Sequence, residues 1–361
     1  MDAVVRAWAA NATMAMAAML ACGVALAAGP PAASEPGAAA VHETTLSSVR
    51  AAGALRCGID QEQAEYSTTD DHGSRAAFDA DLCLAVAVAA LGKNAKVKAT
   101  YYPDDRAAMK GLSAGEVDMV ATLTDDFNHV VGTHLELTRP VLWDGVGFLV
   151  PGTSHAKRVR ELSGKKICFL AETATEESVR AWFFREHLEF VPFPFQEEGE
   201  MEAAFATGNC GALAGDGTRL AETRAALAQH GKQARLLPET ISKDPLAAAV
   251  REDDRQWAAL VNWVIEALVQ AEESGVTRAN VQSMRGRADR DPVLRFLLGA
   301  SREIGPALDL DDDWVARVIE ATGNYGEIYE RDLGSGSPLK LPRGENNLRL
   351  HGGAMAALPA K

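Results

Sequence analysis

The chain of 361 residues lacks the sequence features of several functional classes. It contains no run of Lys and Arg, and its formal net charge of −14 disfavours a nucleic-acid partner. Neither a GxSxG nucleophile elbow nor a Gly-rich phosphate loop of the Walker type occurs, so the sequence does not indicate a serine hydrolase or a P-loop nucleotide-binding protein. Beyond the N-terminus, no apolar run reaches the ~18 residues that a membrane span requires.

Cysteine is scarce, with five residues in the whole chain and no CxxC pair. No His stands at zinc-finger spacing from a Cys, and the sequence predicts neither a metal site nor a cofactor. Cys22 lies in an apolar N-terminal segment, and three pairings are possible among the other four residues, Cys57, Cys83, Cys168 and Cys210. Export to an oxidising compartment would favour disulfides over metal ligation.

The N-terminus has the pattern of a secretory signal peptide. Residues 1–28 carry Arg6, then an uncharged run rich in Ala, Met and Leu, then the small-residue cleavage pattern Ala25-Leu26-Ala27. Lipoprotein processing at Cys22 is the alternative. Residues 29–42 are rich in Pro, Ala and Gly and have too little apolar content to fold, so we interpret them as a linker. The mature chain is expected to be exported and soluble.

Strand and helix patterns alternate along the rest of the chain, which predicts an α/β fold with parallel sheets. A first series runs to about residue 144, and a second begins after Pro151. The apolar strands Gly145–Val150 and Pro245–Val250 are predicted to pass from one series to the other and back.

This arrangement predicts two lobes joined by a hinge. The first lobe would comprise residues 43–148 and 247–361, and the second lobe residues 149–246. Because ligands bind outside the carboxyl ends of strands in open α/β sheets, we expect the strand ends of both lobes to face one cleft that closes around a ligand.

One strand end carries a group of polar residues. The apolar run after Gly115 stops at Thr122, and Thr124, Asp125 and Asp126 follow. Two hydroxyls and two carboxylates at this position are a candidate binding surface. The alternative is a capped turn, because Thr and Asp favour helix starts for purely local reasons.

Several segments between residues 55 and 350 resemble one family, the type 3 extracellular solute-binding proteins of ABC transporters. The similarity is greatest to the periplasmic general L-amino-acid-binding proteins. It rests on these segments: Leu55-Arg56-Cys57-Gly58, Phe78-Asp79-Ala80-Asp81-Leu82-Cys83, Ser113-Ala114-Gly115-Glu116-Val117-Asp118, Asp144-Gly145-Val146-Gly147-Phe148, Ile241-Ser242-Lys243-Asp244-Pro245-Leu246, Gln256-Trp257, Ala271-Glu272-Glu273 and Gly323-Asn324-Tyr325-Gly326-Glu327-Ile328, the last continued by Gly336-Ser337-Pro338-Leu339.

The resemblance implies a two-lobed periplasmic binding protein fold of type II, with two parallel-sheet lobes joined by two crossing strands. It also implies disulfides Cys57–Cys83 and Cys168–Cys210, one in each lobe. The implied function is that of a monomeric periplasmic protein that captures an amino acid or an amino-acid-like cationic compound. It would deliver this ligand to the membrane permease of an ABC importer.

The resemblance further implies a set of ligand-binding positions, and two of them depart from the family pattern. Where the family has an Arg that grips the ligand's carboxylate, this chain has His129. Where the family has Gly-Thr at a helix start, it has Glu172-Thr173. The other implied positions are Tyr66, Thr122, Thr124 and Asp216, the last matching the family's ammonium-binding Asp.

These departures point to a ligand with a positive charge. His129 is mostly neutral near pH 7 and lacks the bidentate fork of Arg. Asp125, Asp126, Glu172 and Asp216 would repel a free carboxylate. We therefore predict a cationic compound, or an amino-acid derivative with a masked carboxylate. The alternative is that Arg75, Arg139 or another base supplies the missing charge and ordinary amino-acid binding persists.

Two other functions remain open from sequence. One is a dehydratase-like periplasmic enzyme on the same fold, with His129 and Glu172 as an acid/base pair. The other is a ligand sensor that is not coupled to transport. Fold alone does not separate these functions.

Overall fold

The computed structural model of the chain describes residues 44–60, 73–288, 291–299 and 304–359. The predicted signal peptide, the linker and Tyr66 lie outside these ranges. The prediction of an α/β fold with two lobes is confirmed, because the strands form two separate five-stranded sheets with helices against them.

The first sheet has the strand order β2-β1-β3-β10-β4. Strands β1, β2 and β3 are parallel, whereas β10 runs antiparallel to both β3 and β4. Its strands and the helices between them are α1 (Thr45–Ala52), β1 (Leu55–Asp60), α2 (Gly73–Leu91), β2 (Val97–Tyr102), α3 (Asp105–Ser113), β3 (Met119–Thr124), α4 (Phe127–Val130), β4 (Leu135–Asp144) and, much later in the chain, β10 (Asp244–Arg251).

The second sheet repeats this plan with the order β7-β6-β8-β5-β9. Strands β6, β7 and β8 are parallel, and β5 runs antiparallel to β8 and β9. Its elements are β5 (Val146–Pro151), β6 (Lys166–Leu170), α5 (Ala174–Arg185), β7 (Val191–Phe195), α6 (Glu198–Ala206), β8 (Ala212–Asp216), α7 (Gly217–Gln229) and β9 (Ala234–Leu236).

The helices after β10 cover the first sheet. They are α8 (Arg255–Glu273), α9 (Val281–Arg285), α10 (Pro292–Leu297), α11 (Ile304–Ala307), α12 (Trp314–Thr322) and α13 (Tyr325–Asp332). Trp257 on α8 is 1% exposed and donates from Nε1 to the Asp118 carbonyl at 2.9 Å, so it belongs to the core. No helix within the described ranges combines the length and apolarity needed to cross a membrane.

Each lobe has its own hydrophobic core, and a disulfide lies in each. Cys57 on β1 joins Cys83 on α2, with the two Cα atoms 6.2 Å apart. Cys168 on β6 joins Cys210 just before β8, with a Cα separation of 5.8 Å. The two disulfides implied by the family resemblance are therefore present, and each links elements of one lobe.

The chain passes between the sheets at Gly145 and again through residues 237–243. These two passages lie side by side. A Cβ on Gly145 would stand 2.6 Å from the Ser242 carbonyl oxygen, so only glycine fits there. The hydroxyl of Ser242 accepts a hydrogen bond from the Val146 amide at 2.8 Å. Sheet membership favours placing the lobe boundaries at these passages, within a few residues of the predicted 148/149 and 246/247 divisions, which stay a prediction.

Strand β4 is an element that the sequence patterns did not indicate. Its segment contains Pro140, and a proline within an apolar run argues against a central strand. The structure resolves the conflict because β4 is the edge strand of its sheet. Pro140 pairs with Ala247, next to shifts in the β10 register, where the missing N–H disturbs the ladder least.

Candidate functional site

A cleft of about 400 Å³ lies where the carboxyl ends of strands from both sheets meet. Thr124 ends β3, Leu170 ends β6 and Asp216 ends β8, and all three line the cleft. Both chain passages contribute as well, through Asp144 at the end of β4 and Asp244 at the start of β10. This is the position at which open α/β sheets bind ligands.

Four of the residues proposed from sequence lie in this cleft: Thr124, His129, Thr173 and Asp216. The amide of Thr124 donates to Asp105 Oδ2 at 3.1 Å, which fixes the backbone at the end of β3. The structure thus brings together one hydroxyl and the His from the first lobe with one hydroxyl and one carboxylate from the second. Their role as ligand contacts stays a prediction.

The other proposed residues lie elsewhere. Thr122 is 1% exposed and donates its hydroxyl to the Asp79 carboxylate at 2.9 Å, a buried contact between β3 and α2, and it is not among the lining residues. Glu172 is exposed and does not line the cleft. Tyr66 lies outside the described residues. No acid/base pair of Glu172 and His129 is therefore formed within the described cleft lining.

Glu172 has a backbone conformation that is unusual for a residue other than glycine. Glu172 has φ 60°, in the left-handed region that glycine adopts without strain. Its amide donates to Glu176 Oε2 at 2.8 Å, and this bond and the nearby Arg180 lower the pKa of Glu176. The Glu172 amide and the Glu176 side chain thus close the turn that precedes α5.

Helix α5 begins at the cleft. Thr173 is its N-cap, and its hydroxyl accepts from the Glu176 amide at 3.4 Å and donates to the Leu170 carbonyl at 2.8 Å. Ala174 and Thr175 follow and also line the cleft. The first amides of a helix have no partner within the helix and attract anions. This helix start is one place where a ligand carboxylate is favoured.

Helix α7 also begins at the cleft, but its cap is Asp144, which lies beside the passage at Gly145. Asp144 Oδ1 accepts from the Gly217 amide at 2.8 Å, and Asp144 Oδ2 accepts from the Thr218 hydroxyl at 2.6 Å and the Thr218 amide at 3.2 Å. Asp216 occupies the N-cap position, yet its side chain makes no capping bond. Asp144 therefore fixes α7 at the junction, and Asp216 does not use its carboxylate to cap its own helix.

Acidic side chains dominate the cleft. The described lining residues include only two bases, His129 and Arg219. The carboxylates are those of Asp104, Asp105, Asp126, Asp144, Glu198, Asp216 and Asp244. Such an excess of one charge in a concave site favours ligands of the opposite sign.

His129 is held between two of these carboxylates. Its Nδ1 lies 2.7 Å from Asp126 Oδ1, and its Nε2 lies 3.8 Å from Asp105 Oδ2. Burial alone would raise the pKa of Asp126, but hydrogen bonds from the His129 amide and ring, with the charge of the ring, lower it. Each ring nitrogen of His129 thus faces a protein carboxylate, and an imidazole lacks the bidentate fork that Arg offers to a ligand carboxylate.

Asp244 lies opposite Asp144 where the two passages meet. Its carboxylate accepts from the Ser242 hydroxyl at 2.7 Å. Burial raises the pKa of Asp244, the Ser242 bond opposes that rise, and the charges of Asp144 and Asp126 add to it. The junction therefore contains an acid that resists ionisation.

We expect Asp244→Asn to stabilise the chain at neutral pH and less so in acid. A folded-state pKa above the unfolded value of 3.8 means that Asp244 favours folding in acid and opposes it as pH rises through the raised value. The Asn variant lacks this penalty. Urea unfolding at pH 7.5 and pH 4 measures the difference. The exposed Asp253→Asn is the matched control, and a gain that is larger at pH 4 contradicts the prediction.

Arg219 is the cleft residue that sequence reasoning missed. It lies in the first turn of α7, its side chain is 13% exposed, and it contacts Glu198 through Nη2. Neither of the two Arg residues considered from the sequence, Arg75 and Arg139, is described as a lining residue of the cleft. Arg139 donates to Glu266 Oε1 at 3.1 Å and does not line the cleft, and the side chain of Arg75 lies outside the described part of the chain. The one available signal was an Arg three residues after Asp216.

Comparison with known proteins finds relatives of one kind, although no family model matches the chain. The general L-amino acid-binding periplasmic protein AapJ of Rhizobium johnstonii is 39% identical over 331 residues, covering 90% of this chain and 95% of the relative. The glutamate/glutamine/aspartate/asparagine-binding protein BztA of Rhodobacter capsulatus is 35% identical over 324 residues, covering 89% and 95%. YhdW of Escherichia coli K12, a putative amino-acid ABC transporter-binding protein, is 35% identical over 319 residues, covering 88% and 92%.

A solved structure also matches over nearly the whole length. It is a periplasmic binding protein of an ABC transporter from Brucella ovis with glutathione bound. It is 37% identical to this chain, with a TM-score of 0.76, and the match covers 89% of this chain and 100% of that one.

Proposed function

Because this chain belongs to the family of periplasmic amino-acid-binding proteins of ABC transporters, we propose that its cleft captures an amino-acid-like ligand with net positive charge. The protein is a periplasmic substrate-binding protein that delivers a small polar ligand to an ABC importer. The observation that carries the finer proposal is the excess of carboxylates over bases in the cleft lining.

The proposal assigns the ligand's ammonium group to Asp216. This carboxylate is exposed at the end of β8, lines the cleft and does not cap its own helix. Asp104, Asp105 and Asp126 stand on the first lobe and favour a second positive group at the other end of the ligand. Thr124 and Thr173 supply hydroxyls for neutral polar groups.

We further propose that the protein binds without catalysis and acts as a monomer. The enzyme hypothesis depends on Glu172 and His129 sharing one site. Glu172 is exposed outside the cleft lining, and His129 lies between Asp126 and Asp105. The relatives named above are described as binding proteins.

A short peptide is the second candidate ligand. The cleft volume of about 400 Å³ falls in the range of about 300–1,000 Å³ that is typical of small-molecule pockets, including those for drug-sized ligands. The Brucella ovis relative holds glutathione, which is such a ligand. Glutathione carries two carboxylates, however, so the acidic lining favours a peptide with basic groups.

Titration calorimetry of the mature chain against the common L-amino acids, short basic peptides and glutathione tests the function. We expect one-to-one binding of at least one basic compound, and native mass spectrometry with chromatography of the released ligand should recover it unchanged. Chemical conversion of the ligand during incubation would support the enzyme hypothesis instead. If no compound in the panel binds, the proposal is wrong.

A further inference from the structure

We propose that Arg219 is the carboxylate-binding residue of this cleft and that Glu198, Glu202 and Thr223 hold its guanidinium in place. The inference rests on the proposed function, because it assigns a role in binding an amino-acid-like ligand. It places the carboxylate anchor on the second lobe, on a different helix from the position of His129.

The surroundings of Arg219 restrict its movement. Its Nη2 contacts Glu198, and its Nε lies 4.0 Å from Glu202 Oε1. Thr223, one turn later on α7, donates its hydroxyl to the same Glu202 oxygen at 2.6 Å. Helices α6 and α7 together therefore fix the direction of the guanidinium before any ligand arrives, which reduces the entropy cost of binding.

Charge makes Arg219 the suitable partner for a carboxylate. Among the described residues that line the cleft, it is the one Arg, and no Lys accompanies it. A guanidinium is permanently charged and presents donors along more than one edge, so it is able to contact a protein carboxylate and a ligand carboxylate together. The imidazole of His129 offers neither property, because an imidazole is not permanently charged and has at most two N–H donors.

The spacing of Arg219 from Asp216 suits one end of an amino acid. Residues three apart at a helix start are neighbours, with Cβ atoms about 5–6 Å apart. Asp216 is the N-cap of α7, and Arg219 lies within its first turn. A carboxylate and a guanidinium side by side match the adjacent ammonium and carboxylate of an α-amino acid. The second lobe then binds the zwitterionic head group, and the acids of the first lobe face the side chain.

The class of ligand follows from the different charges that the two lobes present to it. A free α-amino acid with a basic side chain satisfies both lobes, because its carboxylate has a partner after all. A derivative with a masked carboxylate would leave Arg219 without a role in binding. Of the ligands that the sequence left open, a basic compound with a free carboxylate therefore fits the cleft better than a derivative with a masked carboxylate.

The test compares L-arginine with agmatine, the same molecule without the carboxylate, by calorimetry on the mature chain and on Arg219→Met. We expect the substitution to weaken L-arginine binding about tenfold, the lower limit for losing a bond to a charged group, while agmatine binding changes little. Arg219→Lys keeps the positive charge but lacks the guanidinium fork. Its affinity for L-arginine should lie between those of the unmodified chain and Arg219→Met. Arg180→Met is the control, since Arg180 pairs with Glu176 on α5 and does not line the cleft.

The pair of ligands separates a binding role from a structural one. Equal losses for L-arginine and agmatine in Arg219→Met mean that Arg219 only supports the fold, which overturns the inference. An unchanged L-arginine affinity overturns it as well, while the proposed function survives in both cases. If the unmodified chain binds a short basic peptide but no free amino acid, the inference fails and the proposed function survives. If it binds neither amino acids nor short basic peptides, both fail.

Discussion

Replacing Asp216 by Asn is expected to weaken amino-acid binding roughly 10- to 150-fold. A hydrogen bond to a charged group contributes about 1.5–3 kcal/mol, and each 1.4 kcal/mol is about a factor of ten in affinity. Asp216 ends β8 inside the cleft, and the capping of α7 depends on Asp144 rather than on its own side chain. The Asn side chain keeps the size and loses the charge, so the fold should remain intact.

Calorimetry with L-arginine measures the loss, and circular dichroism of the same samples confirms folding. Asp253→Asn provides the matched control, because Asp253 is 79% exposed and does not line the cleft. An Asp216→Asn protein that binds as tightly as the unmodified chain would show that the ammonium group is held elsewhere.

Replacing Asp144 by Ala is expected to lower the free energy of unfolding by about 2–4 kcal/mol. Loss of an N-cap costs about 0.5–2 kcal/mol, and a buried donor left without a partner adds about 1–3 kcal/mol. Asp144 accepts from the Gly145 and Gly217 amides, each at 2.8 Å, and from both donors of Thr218, which is 4% exposed. The substitution leaves these donors unpaired at the junction of the lobes.

The appropriate comparison is Asp104→Ala, which removes an ordinary N-cap. The Asp104 side chain accepts from the Ala107 amide at 2.7 Å, at the start of α3 in an exposed position. Urea unfolding of both variants should show a clearly larger loss for Asp144→Ala. Equal losses would mean that Asp144 acts as a local cap and that its position at the junction adds nothing.

Much of the secondary structure follows from local sequence. The alternation of strand and helix patterns predicts an α/β fold, and both lobes have one. Asp104 and Thr173 each stand before a helix and cap it through their side chains, as Asp and Thr commonly do. Local sequence does not predict strand β4, because its proline is tolerated only at a sheet edge. Edge position is a property of the assembled sheet.

The cleft is less accessible to sequence reasoning than the fold. The positions of Thr124 and Asp216 at strand ends were predictable because strand ends and ligand sites coincide in α/β sheets. The place of Arg219 depends on the packing of α6 beside α7, which brings Glu198 and Glu202 to it. No local pattern encodes that contact. Thr122 has the right residue type, but its orientation toward Asp79 is set by the packing of α2.

The central claim is that this cleft selects an amino-acid-like ligand by positive charge. Calorimetry with L-arginine and L-citrulline tests it most directly, because the two side chains have nearly the same shape and differ in charge. We expect at least about tenfold tighter binding of L-arginine, with a difference that shrinks as salt is added. Equal or tighter binding of L-citrulline, or tighter binding of L-glutamate than of L-arginine, would contradict it.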